Sequence, residues 1–69
     1  MPMERIKNKV SFLRSNAQVT QQQLADNVGV TRQTIIAIEK GNYTPSVLLA
    51  LKVARFFKQP VEQIFIYEK

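Results

Sequence analysis

The chain has 69 residues, of which 45% are hydrophobic and 22% charged, the balance of one small globular domain. It contains no cysteine and no histidine. These absences exclude disulfides, the usual zinc sites and the Ser-His-Asp and Cys-His nucleophile pairs of many enzymes. We therefore expect a single non-enzymatic domain over residues 1–69, without a metal or a cofactor.

The charge of the chain favours a nucleic-acid partner. Ten Lys/Arg against five Asp/Glu give a net charge of +5, and the pI near 10.0 exceeds the value of about 9 that is typical of nucleic-acid-binding domains. The excess lies in residues 1–23 and 46–69, while residues 24–45 are neutral. The longest apolar run, Val47–Leu51, is far shorter than a membrane span, and no signal-peptide pattern follows Met1. We expect a soluble, cytoplasmic protein.

The first two predicted helices follow from apolar spacing and capping residues. An apolar residue recurs at every third or fourth position, at Ile6, Val10, Leu13 and Ala17. That spacing predicts a first helix over about 4–16. Thr20 and Gln23 match a capping box, so a second helix is predicted to begin at Gln21. We expect Gly29 to end it, since glycine tolerates a left-handed conformation.

Three further helices complete the predicted fold. Thr31 is the expected N-cap of a third helix that runs to about Lys40. Ser46 is the expected N-cap of a fourth, which is almost wholly apolar and therefore predicted to be the buried centre. A short fifth helix is predicted over 61–65, after Pro60. The prediction is an all-α, compact five-helix bundle, with a short β-prone strand at the C-terminus as an option.

Residues 21–41 indicate a function. Two short helices joined by a tight turn at Gly29-Val30, with the small Ala25 at their expected crossing, are typical of a helix-turn-helix. On a helical projection the third helix turns one group of side chains inward, Thr31, Ile35 and Ile38, and another outward, Arg32, Gln33, Ala37 and Lys40. Arg and Gln can read base edges and Ala can contact a thymine methyl, so this face suits a major groove. A solvated face without a partner is the alternative.

Residues 4–65 resemble the Cro/C1-type helix-turn-helix family of phage repressors and xenobiotic-response-element-type regulators. The resemblance rests on six motifs in order and spacing: Leu13-Arg14, Val19-Thr20-Gln21, Leu24-Ala25, Val28-Gly29-Val30-Thr31, Ile38-Glu39-Lys40-Gly41 and Pro45-Ser46. It implies a lambda-repressor-like domain with its helix-turn-helix at 21–40. It also implies a sequence-specific double-stranded DNA-binding regulator, most simply a repressor. The shortest members have no separate ligand domain, so no small-molecule ligand is expected.

The resemblance further implies roles for individual residues. Arg32 and Gln33 are the expected base readers, and Ala37 is expected to make a methyl contact. The other positions implied in DNA binding are Gln21, Thr31, Thr34, Lys40, Asn42 and Tyr43. Arg14 and Glu39 match a family ion pair between the first and third helices. Gln18 and Lys58 stand where the family commonly has glycine.

A homodimer is expected because one recognition helix reads only a few base pairs. The candidate dimer interface is Ile64, Phe65, Ile66 and Tyr67, within a dimer element at 61–69, with Leu48 or Phe56 as additions. Alternatively, this segment closes the monomer's own core as a strand paired with the N-terminus. Whether Ile36 and Leu48 are exposed or packed stays open.

Two other functions compete with the DNA-binding regulator. The same fold serves antitoxins, which bind a toxin as well as DNA and need an apolar patch for that partner. A basic amphipathic membrane binder is the other alternative, and short capped helices argue against it.

Overall fold

The structure, a computed structural model, describes residues 4–68. Within that range five helices and two strands follow one another in the order β1 (Arg5–Asn8), α1 (Val10–Asn16), α2 (Gln21–Val28), α3 (Arg32–Glu39), α4 (Val47–Phe57), α5 (Val61–Ile64) and β2 (Phe65–Glu68). The strands pair antiparallel, with Arg5 opposite Glu68 and Asn8 opposite Phe65. The five predicted helices are therefore confirmed, but the fold is not strictly all-α. Lys69, the last residue of the predicted dimer element, lies outside the described residues.

The first predicted helix is wrong over its N-terminal half, which is the strand β1. Asn8 makes the change from strand to helix: its Oδ1 accepts a hydrogen bond from the Val10 backbone N–H (3.1 Å). The Lys9 N–H donates to the Ile64 carbonyl (2.9 Å), which ties this junction to the end of α5. The apolar spacing of Ile6 and Val10 fits a helix, but pairing with the distant C-terminus satisfies the backbone groups of residues 5–8 as a strand.

The N-termini of α2, α3 and α4 carry the predicted caps. Thr20 Oγ1 accepts from the Gln23 N–H (3.0 Å) and Gln23 Oε1 accepts from the Thr20 N–H (2.8 Å), so both halves of the capping box are present. Thr31 caps α3 and Ser46 caps α4 through the same kind of side-chain bond. Each cap satisfies amide groups that the helix itself leaves free, and so sets where the helix begins.

Four helices end with one residue in the left-handed region, Gly29 after α2 among them. After α1, Gln18 has φ +57°, and the N–H of Val19 donates back to the Arg14 carbonyl (3.0 Å). Lys58 (φ +56°) and Gly41 (φ +79°) occupy the same place after α4 and α3. Glycine adopts this conformation without the steric cost of a side chain, so Gln18 and Lys58 are strained where Gly41 is not.

The core lies between the helices and includes Ile64, the last residue before the strand β2. Its fully or almost fully buried members are Val10, Leu24, Ala25, Val28, Ile35, Ile38, Leu49, Val53, Ala54 and Ile64. Phe65 begins β2 instead of ending α5, so the last helix is one residue shorter than predicted.

The prediction that α4 is buried all round is wrong. Leu49 and Val53 face the core, whereas Val47, Leu48 and Leu51 are 77%, 64% and 52% exposed. These last three residues form one side of the first two turns of α4, which we call the α4 apolar face. A helix that is apolar all round needs neighbours on every side for burial, and α4 packs against the domain on one side only. Leu48 is thus exposed, while Ile36 on α3 is half-buried.

Among the described helices, none has the length and hydropathy that a membrane crossing requires.

Candidate nucleic-acid interface

The turn between α2 and α3 sets how the two helices meet. The carbonyl of Ala25 accepts hydrogen bonds from both the Gly29 and the Val30 N–H groups (2.9 and 3.0 Å), and Gly29 has φ +77°. Ala25 itself is fully buried, and its single methyl group allows close contact at this point. The half-buried Val30 packs against the core just below the turn. The two helices therefore form a helix-turn-helix.

The helix α3 is anchored by one face and exposed on the other. Ile35 and Ile38 are buried (0% and 1% exposed), whereas Arg32 and Gln33 are exposed at the start of the helix. Ala37 is half-buried. The polar side chains of the first turn are thus available to a partner, while the apolar side chains behind them hold the helix in place.

The two threonines predicted to bind DNA, Thr31 and Thr34, hydrogen-bond to each other at the N-terminus of α3. Thr31 Oγ1 accepts from the Thr34 N–H (3.3 Å) and lies 3.2 Å from Thr34 Oγ1. Thr31 is exposed and Thr34 half-buried. The cap and the contact with Thr34 use two of the three hydrogen-bonding capacities of the Thr31 hydroxyl, so one is left for a partner.

Arg14 and Glu39 form a two-pronged ion pair between α1 and α3. Arg14 Nε donates to Glu39 Oε2 (2.8 Å) and Nη2 donates to Oε1 (3.2 Å), while Nη1 donates to the Val19 carbonyl (3.0 Å). The side chains are only 17% and 9% exposed. The hydrogen bond to Glu39 raises the pKa of Arg14 further above its ordinary value. This pair therefore locks α3, α1 and the loop before α2 together.

Gln21 connects that ion pair to the exposed end of α3. Its Nε2 donates to Glu39 Oε1 (3.0 Å), and its Oε1 accepts from Arg32 Nε (3.3 Å). Sequence reasoning placed Gln21 at the DNA but did not anticipate these two contacts. A polar residue at the first position of α2 was the only available signal, and the partners come from α3.

The loop after α3 presents the remaining predicted DNA contacts. Lys40, Asn42 and Tyr43 are all exposed, and the Asn42 N–H donates to the Ala37 carbonyl (2.9 Å), which fixes the start of the loop. Asn8 Nδ2 donates to the Ile38 carbonyl (2.8 Å) and so ties the end of α3 to β1. Sequence reasoning did not identify this role of Asn8, because it depends on a contact between residues 30 positions apart.

The predicted dimer segment lies on the strand β2 and the end of α5. Ile64 is fully buried in the monomer's own core, so it offers no surface to a second chain. Phe65 and Ile66 are half-buried and Tyr67 is 59% exposed. The Tyr67 hydroxyl donates to the Glu4 carboxylate, which raises the pKa of Tyr67. The alternative from sequence, a strand that pairs with the N-terminus, is the arrangement observed.

A model of the helix-turn-helix family matches residues 13–64. The chain belongs to the Cro/C1-type helix-turn-helix family. It is 56% identical over 63 residues to an uncharacterised HTH-type transcriptional regulator of Methanocaldococcus jannaschii, a match that covers 91% of this chain and 96% of that protein. It is also 30% identical over 57 residues to the cryptic phage CTXphi transcriptional repressor RstR of Vibrio cholerae, with coverage of 83% and 51%.

The fold has a counterpart among solved structures. The restriction-modification controller protein C.AhdI of Aeromonas hydrophila superposes with a TM-score of 0.74 at 24% identity, over 80% of this chain and 83% of that one.

Membership of the family makes this protein a DNA-binding transcriptional regulator and not an enzyme. In the part of the chain that the structure describes, no group of three His, Cys, Asp or Glu residues is placed to hold a metal ion.

Proposed function

We propose that this Cro/C1-type protein is a repressor that binds a two-fold-symmetric DNA operator as a homodimer. The observation that carries the proposal is the exposed polar start of α3, with Arg32 and Gln33 in solvent above the buried Ile35 and Ile38. A rigid helix with Arg and Gln at its exposed end can hydrogen-bond guanine and adenine edges in the major groove. The likeness to RstR, named a transcriptional repressor, supports repression as the outcome.

Base contacts and phosphate contacts fall on different parts of the surface. Arg32 and Gln33 read bases, and the methyl group of Ala37 contacts a thymine methyl one turn further along α3. Thr31 and Thr34 border this reading face. The positions that hold the phosphate backbone are Gln21, Lys40, Asn42 and Tyr43. Phosphate contacts of this kind orient the protein on the duplex without specifying the sequence, so affinity and specificity should be separable by substitution.

A homodimer is proposed because one α3 helix reads too few base pairs to select a site. We place the dimer contact on the α4 apolar face, where Val47, Leu48 and Leu51 expose three large apolar side chains on one stripe. This face follows the loop of Asn42 and Tyr43 directly in the chain. A two-fold axis through this face would bring the two copies of that loop close to each other. The remaining exposed part of the predicted segment, Tyr67, is the alternative surface.

Two matched substitutions separate these surfaces. Leu51→Glu places a charge on the α4 apolar face and is expected to shift the protein from dimer to monomer in sedimentation equilibrium. Tyr67→Glu, at a side chain of comparable exposure on β2, is expected to leave the dimer intact. The opposite pattern would move the interface to the strand, and a wild-type monomer at high micromolar concentration would contradict the dimer.

The function itself is tested by selection of duplex DNA from a random pool at two salt concentrations. We expect a two-fold-symmetric motif whose half-sites are about 34 Å apart, one turn of the duplex. Enrichment of no motif, with binding that disappears as salt rises, would show only a basic surface and contradict the proposed function.

The α4 apolar face also supports a second candidate function. An antitoxin-type regulator would use such a face for a protein partner in addition to DNA, since exposed apolar stripes are typical of protein-binding surfaces. A wild-type monomer that gains a stable complex with the product of a neighbouring toxin gene would favour this candidate. A dimer that Leu51→Glu disrupts would favour the repressor.

A further inference from the structure

We propose that Asn8 is a positioning residue for DNA binding, which acts by fixing the loop that follows α3. This loop contains Lys40, Asn42 and Tyr43, and we call residues 40–43 the phosphate loop. Through Asn8 the terminal sheet sets how tightly the protein holds the DNA backbone, without contacting a base. The inference rests on the proposed function, because that function assigns the phosphate contacts to this loop.

Both polar ends of the Asn8 side chain are engaged. Its Oδ1 accepts from the Val10 N–H (3.1 Å), and its Nδ2 donates to the Ile38 carbonyl (2.8 Å). A backbone N–H only donates and a carbonyl only accepts, so a single orientation of the amide satisfies both partners. Asn8 therefore joins the start of α1 to the end of α3 in one fixed geometry.

The carbonyl that Asn8 binds belongs to the last turn of α3, where a helix leaves carbonyl groups without partners of its own. The Ile38 carbonyl also accepts from the Gly41 N–H (3.0 Å), and the adjacent Ala37 carbonyl accepts from the Asn42 N–H (2.9 Å). The phosphate loop is thus bonded to the same helical turn that Asn8 holds. A shift of that turn would move Gly41, whose φ of +79° sets the direction in which the loop leaves the helix.

Asn8 is itself held from the interior of the domain. It lies opposite Phe65 in the sheet, and the N–H of the next residue, Lys9, donates to the Ile64 carbonyl (2.9 Å). Ile64 is fully buried. The core and the C-terminal strand therefore fix the position of Asn8, although residues 5–7 of the same strand are exposed.

The sheet also lies directly against the phosphate loop. Ile6 and Phe65 of the sheet and Tyr43 and Pro45 of the loop region line one cavity of only about 10 Å³. A space of that size holds no more than one water molecule. Tyr43 is 46% exposed, so it keeps a free surface on its other side. The loop therefore has little room to move toward the sheet.

This arrangement affects DNA affinity through conformational entropy. A loop that is ordered before DNA arrives loses less freedom on binding than a mobile one. Without the bond from Asn8, part of that ordering is left to the moment of binding. Phosphate contacts carry no sequence information, so the resulting loss of affinity falls equally on every duplex. Arg32, at the opposite end of α3, keeps its base preference.

The test compares Asn8→Ser with Val53→Ala at a temperature at which both proteins are folded. Serine can accept from the Val10 N–H in the same kind of local turn, but its side chain ends one bond short of the Ile38 carbonyl. The change adds no charge. Val53 is fully buried in α4, so Val53→Ala is the control for a general loss of stability.

Binding of both variants is measured on the selected operator and on a random duplex. We expect Asn8→Ser to weaken binding to both duplexes by the same factor, about three- to tenfold, which is the range for ordering one side chain. Val53→Ala is expected to weaken neither. If Asn8→Ser lowers stability and leaves both affinities unchanged, Asn8 is only a structural residue, and the inference is wrong while the proposed function stands.

A variant of the phosphate loop separates this role from any other effect of Asn8. With Lys40→Ala, Asn42→Ala and Tyr43→Ala combined, the contacts that Asn8 positions are gone, so adding Asn8→Ser is expected to cause no further loss. A loss that persists in this background would overturn the inference, as would a changed preference at the base pair that Arg32 reads. If the wild type selects no operator motif, the proposed function fails, and the random duplex alone still decides the role of Asn8.

A second measurement needs no DNA. In hydrogen exchange followed by NMR, Asn8→Ser should reduce the protection of the Gly41 and Asn42 amides more than that of Gly29, whose N–H is bonded in the turn between α2 and α3. Val53→Ala should change the protection of all three amides alike, because it acts on the whole domain. An equal change at the three amides in Asn8→Ser would show a general loss of stability and overturn the inference.

Discussion

The helix-turn-helix and the terminal sheet are held together in different ways. In residues 20–41, helices begin at side-chain caps and end at glycines, and apolar side chains at helical spacing enter the core. In the sheet, four residues at one end of the chain pair with four at the other, and the contact joins positions as far as 63 apart. The first region is determined by near neighbours and the second by distant ones. The proposed DNA contacts lie in and directly after the region that local interactions shape.

The largest expected difference between the two regions concerns apolar side chains. Ile38→Ala empties a site beneath α3 that is 1% exposed and should lower the free energy of unfolding by about 2–5 kcal/mol. Ile6→Ala removes a side chain of β1 that is 42% exposed and should cost about 1 kcal/mol or less. Urea unfolding followed by circular dichroism measures both. Equal losses would show that the sheet and the helix-turn-helix contribute alike to the core.

The ion pair that joins α1 to the helix-turn-helix and the ion pair of the sheet should differ nearly as much. Arg14→Ala leaves the Glu39 carboxylate without its main partner at a site that is 9% exposed, and should cost about 2–4 kcal/mol. Arg5→Ala breaks the pair between Arg5 and Glu68, whose side chains are 78% and 32% exposed, and should cost about 0–1 kcal/mol. Thermal unfolding at two salt concentrations compares the variants. A loss of similar size for Arg5→Ala would contradict the expected difference between the buried and the exposed ion pair.

Direct contacts with DNA should come from the first region and not from the second, although both carry arginines. Arg32→Ala is expected to lose about 1–3 kcal/mol on the operator and to relax the preference at one base pair. Lys40→Ala should weaken all sequences alike and reduce the salt slope by about one unit. Arg5→Ala on the sheet is the control that leaves base preference unchanged. Binding titrations of the three variants on operator and random duplexes measure these effects. If Arg32→Ala weakened binding to both duplexes equally, Arg32 would not be a base reader.

The smallest predicted effect concerns the left-handed residue that follows α1. Gln18→Gly relieves a side chain at φ +57° and is expected to raise the free energy of unfolding by about 0.5–1 kcal/mol. Gln22→Gly, on the exposed face of α2, should lower it by a similar amount because glycine is unfavourable inside a helix. Chemical unfolding of the pair gives the sign directly, and destabilisation by Gln18→Gly would mean that the glutamine is not strained.

Much of the fold could be predicted because its signals are short-range. Thr20 and Gln23 are three positions apart and form their capping box as expected, and Gly29 ends α2 in the predicted left-handed conformation. The prediction of a helix over residues 4–9 was wrong because Ile6 and Val10 fit a helix as well as a strand. Only the presence of β2 alongside makes the strand the better way to satisfy those backbone groups.

The candidate site likewise has one part that a short segment of sequence predicts and one part that depends on packing. The exposed start of α3, with Arg32 and Gln33, follows from the helical projection of one short segment. The link through Gln21 could not be predicted, because its partners Glu39 and Arg32 meet it only after α2 and α3 have packed.

The sequence by itself determined the helix boundaries at caps and glycines, the helix-turn-helix pattern and the basic charge that suits DNA. Tertiary structure alone decided which apolar side chains stay exposed and which polar side chains hydrogen-bond to one another. Val47 and Val53 belong to one apolar helix and have the same chemistry, yet one is 77% exposed and the other 0%. Caps and turns depend on a few adjacent residues, whereas burial and hydrogen-bond partners depend on what the rest of the chain places beside them.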